Sequence, residues 1–492
     1  MFQYQNVFID GKKLSCEQFS ILEEVKLGKN LIINAFAGTG KTFILRAISL
    51  KVLSSKSGLY LAFNRKIVNE ATAVFTKNVS CRTIHSLAYK DVGIKYFRVG
   101  RMNQFLNAAI LHDAFFKNTP AIFGILPIRI CGMILSGIQS YCDSSDAEIS
   151  VHHLNKVNFS DIDKNNIHEL KETLFYFLKS IWSLIRDLES SSKLPITPNI
   201  YLKLWALKEP KLFYDYILID EAQDQNPVVI DLLSKQNHLQ QIWVGDKYQQ
   251  IYEFRGAKNA LDSINIDNHY VLTKSFRYGK EIAEYCNLLL STHFNDNPNI
   301  RGLSKIKSVL SNKFEPDVVI CRSNFALIAE VVYLKGNFKK KKVFINAYIH
   351  NLIYDLQEAE KIIRGKISFH PDFIPFKNWS EIVRFSKTSE GYHLKTVVNL
   401  IKEYNTSFLI ELISKVKFIR ESHADLIVST VHQAKGREWN IVRLADDFKL
   451  KGSPGYNEEE GRLLYVAATR AKKVLDISFC SAASSFLEHN KS

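Results

Sequence analysis

Residues 31–50 read LIINAFAGTGKTFILRAISL. An apolar run from Leu31 to Ala35 meets two glycines, then Lys41 and Thr42, and then a pattern of helical period. A strand, a loop FAGTG and a helix opening near Lys41 would aim backbone N–H groups at an anion. In that loop Gly38 and Gly40, interleaved with Ala37 and Thr39, let the backbone approach a phosphate closely. Lys41 could reach the outer phosphates, and the Thr42 hydroxyl could take a place on Mg²⁺. The usual spacing asks for glycine where this chain has Ala35, so the stretch alone leaves an ordinary lysine after a turn open.

Working outward, apolar runs bounded by turn residues recur at Leu31–Ala35, Leu59–Phe63, Tyr216–Asp220, Gln241–Gly245 and Tyr270–Phe276. Stretches of helical period, such as Lys41–Val52 and Lys66–Phe75, lie beside them. Strands alternating with helices predict a parallel sheet covered on both faces. A second set follows at Asp317–Cys321, Lys342–Ala347, Leu426–Thr430, Asn440–Ala445 and Val474–Phe479, which predicts a second α/β domain. Residues 91–205 and 350–420 read mainly as helix, as insertions into the two cores. The lysine run 339–342 reads as a solvated turn.

A length of 492 residues suits two to four domains. No stretch approaches the ~20 consecutive apolar residues of a membrane-spanning helix. The opening MFQYQNVFIDGKK lacks the charged and apolar regions of a signal peptide. Seven cysteines are widely spaced, Cys131 and Cys142 being the closest pair, which suits a reducing cytoplasm and argues against a zinc or disulfide framework. The net charge of +15 suggests a polyanionic partner, nucleic acid foremost, with solubility as the plain alternative.

The stretch YILIDEAQD, residues 216–224, changes the reading of Lys41. It is an apolar strand ending in two adjacent carboxylates. A strand tip beside a phosphate loop needs one carboxylate for the metal and another to orient or deprotonate the attacking water. Asp220 fits the first role and Glu221 the second.

Six stretches in order, AFAGTGKT, IDEAQD, VGDKYQQIYEFRGA, LTKSFR, STVHQAKGREW and EEEGRLLYVAATRAKK, resemble superfamily 1 helicases of the UvrD/Rep type. The wording of AFNRKI, TIHSLA and IYEFRGA is most similar to the F-box DNA helicase branch, although no F-box is expected ahead of it. The matches span residues 18 to 475. The resemblance accommodates Ala35 and implies an α/β chain of two RecA-like P-loop domains with ATP and Mg²⁺ between them. The first takes residues 1–90 and 206–275 with a helical insertion at 91–205. The second takes 276–349 and 421–492 with a reduced insertion at 350–420.

By the same resemblance, Gln18 in SCEQFSIL reads adenine and Phe276 stacks on it. Gln249 senses the γ-phosphate, and Arg277 and Arg470 meet it from the second domain, where guanidinium groups suit the spreading charge of phosphoryl transfer. Gly436 and Glu438 fall on the nucleotide side, Glu438 as a ribose contact. Phe63, Asn64, Thr83, His85, Tyr252, Phe254 and His432 follow the family's DNA track, Phe254 standing where tryptophan is more usual. His432 and Lys435 would couple phosphate state to the DNA contacts.

The expected activity is 3′ to 5′ movement on single-stranded DNA with unwinding of tailed duplex, and no membrane partner. A translocase or DNA sensor that unwinds poorly, and a nucleotide-gated binding subunit, are the alternatives. No nuclease-like acidic cluster follows VLDISFC, so cleavage is expected from a separate nuclease subunit, as in defence systems such as Gabija, unless the chain is a stand-alone repair helicase.

Overall fold

The computed structural model of the chain describes residues 7–159, 162–189, 193–252, 261–338, 341–347, 351–368, 370, 372–373, 376–388, 390–416 and 418–489. The chain divides into two compact units, one formed by Met1–Ile84, Lys211–Ala347 and Arg420–Ser492, the other by His85–Pro210 and Tyr348–Ile419.

The first unit holds two parallel sheets. In one, the strands are β1 (Leu31–Ala35), β2 (Gly58–Leu61), β3 (Val79–Arg82), β4 (Tyr216–Ile219), β5 (Gln240–Gly245) and β6 (His269–Leu272), in the order β3-β2-β4-β5-β1-β6. In the other they are β7 (Val309–Leu310), β8 (Val318–Cys321), β9 (Val343–Asn346), β10 (Leu426–Thr430), β11 (Trp439–Leu444) and β12 (Ala471–Asp476), in the order β9-β10-β8-β11-β12-β7. Strands β2, β4 and β8 are buried at every position, as unbroken apolar runs in two-sided sheets should be. Residues such as Ile33, Ile44, Ile48, Leu218 and Val244 fill the core beside β1.

Several boundaries differ from the sequence reading. Strands β3 and β7 were not expected, because VSCR is only half apolar and VL is too short to show a period. The run expected to continue to Phe276 leaves the sheet at Leu272. There the Phe276 N–H donates to the Gly38 carbonyl at 2.7 Å, and the Ser275 N–H to Arg301 at 2.8 Å, so neither extends the ladder. The last strand lies at Ala471–Asp476 rather than Val474–Phe479. Asp476 ends it by accepting the Ser478 N–H at 3.0 Å and hydroxyl at 2.6 Å, a side-chain turn that diverts the backbone.

The second unit is helical among its described residues. Helices Pro127–Asp143 and Ile167–Arg186 approach so closely that a Cβ on Gly137 would lie 2.1 Å from Leu178. Arg101 is buried at the end of the second of these, donating to the carbonyls of Leu194 at 2.7 Å, Asp187 at 2.5 Å and Ile185 at 3.1 Å. A guanidinium there satisfies carbonyls that the helix leaves open and opposes its dipole. The chain segment after Tyr348 adds helices Leu352–Ile363, Trp379–Phe385, Lys395–Glu403 and Thr406–Val416 to this unit. Among the described residues, no helix is long and apolar enough to cross a membrane.

In the first unit, helix Lys280–Phe294 packs against helix Glu458–Ala468 with the His293 imidazole over Gly461, where a Cβ would come within 2.9 Å. Burial, helped by the Lys451 charge, lowers His293 to about 4 from its ordinary 6.5. The unfolded chain therefore binds the proton first as pH falls, so this group's stability is complete above pH 6.5 and is lost on the way down to about 4. The loss amounts to about 3 kcal/mol. Denaturant unfolding from pH 7 to pH 4 should show a smaller acid loss for His293→Leu than for the parent chain, and parallel curves would remove the assignment.

Candidate functional site

Because the strands of the first sheet are parallel, β1, β2, β4, β5 and β6 all end on one edge, and the residues after them meet there. After β1 comes the loop Phe36–Gly40, with Gly38 at φ +78° and Gly40 at φ +88°. Helix Lys41–Lys51 follows with no side-chain cap on its first turn, so its leading N–H groups face the loop. A Cβ on Gly38 would lie 2.5 Å from the Ser275 hydroxyl and 2.6 Å from the Arg277 Cβ. Phe36 anchors the loop by stacking on Tyr248 at 5.9 Å. Ala37 is held on both sides, its N–H donating to the Tyr465 hydroxyl at 3.3 Å and its carbonyl accepting from Tyr278 at 3.2 Å. Thr39 closes the turn with its hydroxyl on the Phe36 carbonyl at 2.8 Å. Gln18 braces the loop from outside. Its amide donates to the Thr39 carbonyl at 3.2 Å, and its oxygen accepts the Ser15 N–H at 3.0 Å in a capping box.

Lys41 and Glu221 form an ion pair at 2.8 Å. The Thr42 hydroxyl lies 3.3 Å from Asp220, which also accepts the Tyr60 hydroxyl at 2.6 Å. Burial pushes the Asp220 carboxyl up, and the Glu221 charge adds to it. Burial would raise Glu221 as well, but the charges of Lys41 and Lys435 and hydrogen bonds from Lys41 and Gln223 hold it down at about 2. Adjacent acids thus carry opposite shifts, Asp220 pushed toward its neutral form and Glu221 firmly ionised. Lys41 keeps its charge because Glu221, Asp246 and Asp220 outweigh its burial. Two glycines where a side chain would intrude, an uncapped helix start, a lysine, and a hydroxyl beside a buried carboxylate fit a nucleotide's phosphates and Mg²⁺.

Strand β5 lies between β1 and β4, and so brings a carboxylate the sequence reading did not single out. Asp246 accepts from Gln249 at 2.6 Å and from Tyr465 at 3.3 Å. Gln223 ties β4 to β5, donating to Glu221 at 2.6 Å and accepting the Asp246 N–H at 3.0 Å. The pattern VGD repeats the strand-then-acid signal of LID and could have revealed Asp246. Tyr60, inside a strand, carried no such signal.

Two arginines join the cluster, Arg277 in the segment after β6 and Arg470 just ahead of β12. Arg470 is buried, with donors on Val466 at 2.8 Å, Thr469 at 2.9 Å and the Gln249 oxygen at 3.5 Å. Burial, and then the Arg277 charge, press against its own charge. Arg277 donates to Glu438 at 2.8 Å and to the Thr469 carbonyl at 3.0 Å. Phe276 remains 40% exposed, available for stacking, with Lys274 5.8 Å above its ring. Gly436 sits at φ +79° with open space around its α-carbon.

A row of rings runs beside this cluster. Phe63 stacks on Tyr252 at 5.2 Å, and Tyr252 lies 5.7 Å from His432. The His432 Nε2 is 3.1 Å from the Ile251 carbonyl. Lys435 stands 5.0 Å over the Tyr252 ring while donating to the Gln249 carbonyl at 2.7 Å and pairing with Asp224. Asn64 caps helix Arg65–Val74, accepting the Ile67 N–H at 3.0 Å. Thr83 joins β3 to helix Ile84–Ala88. His85 belongs to the helical unit, where its Nε2 meets Asn199 at 3.1 Å and its ring meets Tyr201 edge-on. Phe254 lies outside the described residues.

The Asp224 side chain is fully buried, and burial raises it to about 6 even against Lys435. Lys435→Met would leave that carboxylate without its cation and destabilise the chain by about 3 kcal/mol. Adding Asp224→Asn should restore most of the loss in denaturant unfolding, and additive effects of the two changes would show that they do not act on each other.

Comparison with known proteins identifies the family. A model of the UvrD-like helicase C-terminal domain matches residues 201–482, and a model of an AAA domain matches residues 18–255. The chain is 33% identical to F-box DNA helicase protein 1 of Schizosaccharomyces pombe, over 94% of this chain and 57% of that protein. It is 31% identical to F-box DNA helicase 1 of Gallus gallus, over 97% of this chain and 49% of that one. It therefore spans about half the length of these two relatives. Gabija protein GajB of Bacillus cereus is 25% identical, with 92% of this chain and 93% of that protein covered. With the helicase model reaching over more than half of its residues, and with the strand-end lysine, acids and arginines in place, the chain belongs to the UvrD-like helicase family.

Proposed function

We propose that this chain is an ATP-dependent DNA motor that moves 3′ to 5′ on single-stranded DNA and unwinds tailed duplex. The observation that carries the proposal is Lys435, whose ammonium touches the Gln249 carbonyl, Asp224 and the Tyr252 ring at once. One cation joins the group that would sense a terminal phosphate to the ring on which a base would stack. In this reading the two sheets are RecA-like domains, at 1–90 with 206–275 and at 276–349 with 421–492. Segments 91–205 and 350–420 are their helical insertions, the second reduced, and the protein works in the cytoplasm.

Bound Mg²⁺–ATP would supply the transferable phosphoryl group and the metal's charge. The chain supplies the rest. Gly38 and Gly40 would admit phosphate, and Thr42 and Asp220 would hold the metal. Lys41, now paired with Glu221 at 2.8 Å, would turn to the outer phosphates. That exchange would leave Glu221 ionised, with a free oxygen to orient a water and take its proton. Arg277, Arg470 and Gln249 would meet the charge that develops. Gln18 would read adenine beside Phe276, with Glu438 near the ribose. Phe63, Asn64, Thr83, His85, Tyr252, Phe254 and His432 would carry the DNA, the rings by stacking.

The likeness to GajB along nearly the whole of both chains favours a second reading. There the chain is a translocase or DNA sensor in antiviral defence, beside a separate nuclease subunit, and unwinds poorly. Strand displacement on 3′-tailed and 5′-tailed duplexes separates the two readings and tests the polarity.

ATP hydrolysis should rise strongly with single-stranded DNA in the parent chain and fall at least about 100-fold in Glu221→Gln. Equal hydrolysis in both would sink the assignment of Glu221. Replacing Phe63 or Tyr252 by Ala should weaken single-strand binding by about 1–3 kcal/mol while leaving nucleotide affinity unchanged, as read by fluorescence anisotropy.

A further inference from the structure

In the helical unit, helix Pro127–Asp143 gives way to a short loop and the 3-10 turn Val151–Leu154. Lys203 holds the loop, donating to the carbonyls of Ser144 at 2.7 Å and Asp146 at 2.6 Å. Two consecutive imidazoles converge on one oxygen of Asp146. The His152 Nε2 lies 2.8 Å from it and the His153 Nε2 2.9 Å. The Ser144 hydroxyl is a fourth donor atom, 3.2 Å from the His153 Nε2.

We propose that Asp146, His152 and His153 form a binding site for one Zn²⁺ ion, with the Ser144 hydroxyl or a water completing a tetrahedron. Two imidazole nitrogens and a carboxylate oxygen are a donor set that Zn²⁺ accepts, at about 2.0–2.2 Å from each. The Asp146 oxygen must draw back by only a few tenths of an ångström from each nitrogen, now 2.8 and 2.9 Å away, since donors in such a tetrahedron stand about 3.3 Å apart. Rotation of the Asp146 carboxylate supplies that movement.

The surroundings prepare the nitrogens for the task. Each ring has a Ser150 oxygen at its Nδ1: the hydroxyl for His152, and the carbonyl at 3.0 Å for His153. An acceptor at Nδ1 keeps the proton there and turns the Nε2 lone pair inward, as the outer partners of metal-bound histidines do. His153 is buried and set edge-on to Tyr141 at 5.1 Å, which fixes the plane of its ring. His152, on the exposed side, leaves a way in for the ion. The ion would join the loop to the 3-10 turn and stabilise the helical unit; this rests on nothing assigned to the nucleotide or DNA groups.

The competing arrangement needs no metal. The Ser150 N–H also lies 3.0 Å from the His153 Nδ1, so a proton on each Nε2 could serve Asp146 instead. The whole chain, free of any histidine tag and stripped with EDTA, would be dialysed against Zn²⁺ and assayed by atomic emission. Co²⁺ would serve as the optical probe of ligand geometry. The parent chain should retain one ion, show a tetrahedral Co²⁺ spectrum, and gain about 3 °C or more in Tm with Zn²⁺. His152→Ala, a change at the surface, and Asp146→Asn should each weaken binding by at least about 100-fold and lose the Tm gain. Zn²⁺ bound equally by the parent and both variants, or no ion retained by a folded parent chain, would overturn the proposal.

Discussion

A parallel sheet delivers the carboxyl end of every strand to the same edge, and the candidate site depends on that constraint. Lys41, Asp220 and Asp246 follow three adjacent strands, so their charges cannot avoid one another. Burying four carboxylates together, with Glu221 and Asp224 among them, is costly without cations. The chain meets the cost with Lys41 on Glu221 and Lys435 on Asp224, and with hydrogen bonds from Tyr60, Gln223 and Gln249. The outcome is a graded set of acids: Glu221 near 2, Asp224 near 6, and Asp220 and Asp246 raised by burial.

That arrangement is a poised one. Lys41 and Arg277 each rest on a carboxylate of the chain, Glu221 and Glu438. Either cation could exchange its partner for a phosphate with little net change in charge–charge energy, because one anion replaces another. Tyr465, on helix Glu458–Ala468, bears on the same balance, accepting the Ala37 N–H and donating to Asp246, so one hydroxyl touches both the loop after β1 and the acid after β5. Lys435 extends the connection to the ring row at Tyr252. Coupling between nucleotide and nucleic acid would thus need no long path, only a change in what one ammonium touches.

The helical unit is built on a different principle. Its packing rests on close helix contact at Gly137 and on buried cations held by carbonyls, Arg101 at one helix end and Lys203 on the loop after another. Each satisfies backbone oxygens that would otherwise be buried without donors. The Asp146–His152–His153 cluster continues this pattern with side chains in place of carbonyls.

The sequence by itself determined the elements that depend on short-range pattern. Runs such as LIINA and YILI are apolar because both faces of their strands are covered, so they were readable as strands. Lys41, Asp220 and Glu221 were legible because a strand end followed by glycine, lysine or acid has few other uses. What only the tertiary structure decided is which groups from distant strands share a site. Strand order is invisible in sequence, so the expected strand at Gln241–Gly245 gave no sign that it would set Asp246 between Lys41 and Asp220, and Tyr60 reached Asp220 across 160 residues. The same holds for Phe276, whose N–H turns to the phosphate loop instead of lengthening a strand. Gln18 likewise meets the carbonyl of Thr39 through a contact no local pattern encodes. Local periodicity records burial along one element, whereas charge balance and hydrogen bonding are settled between elements, where the chain's order no longer measures distance.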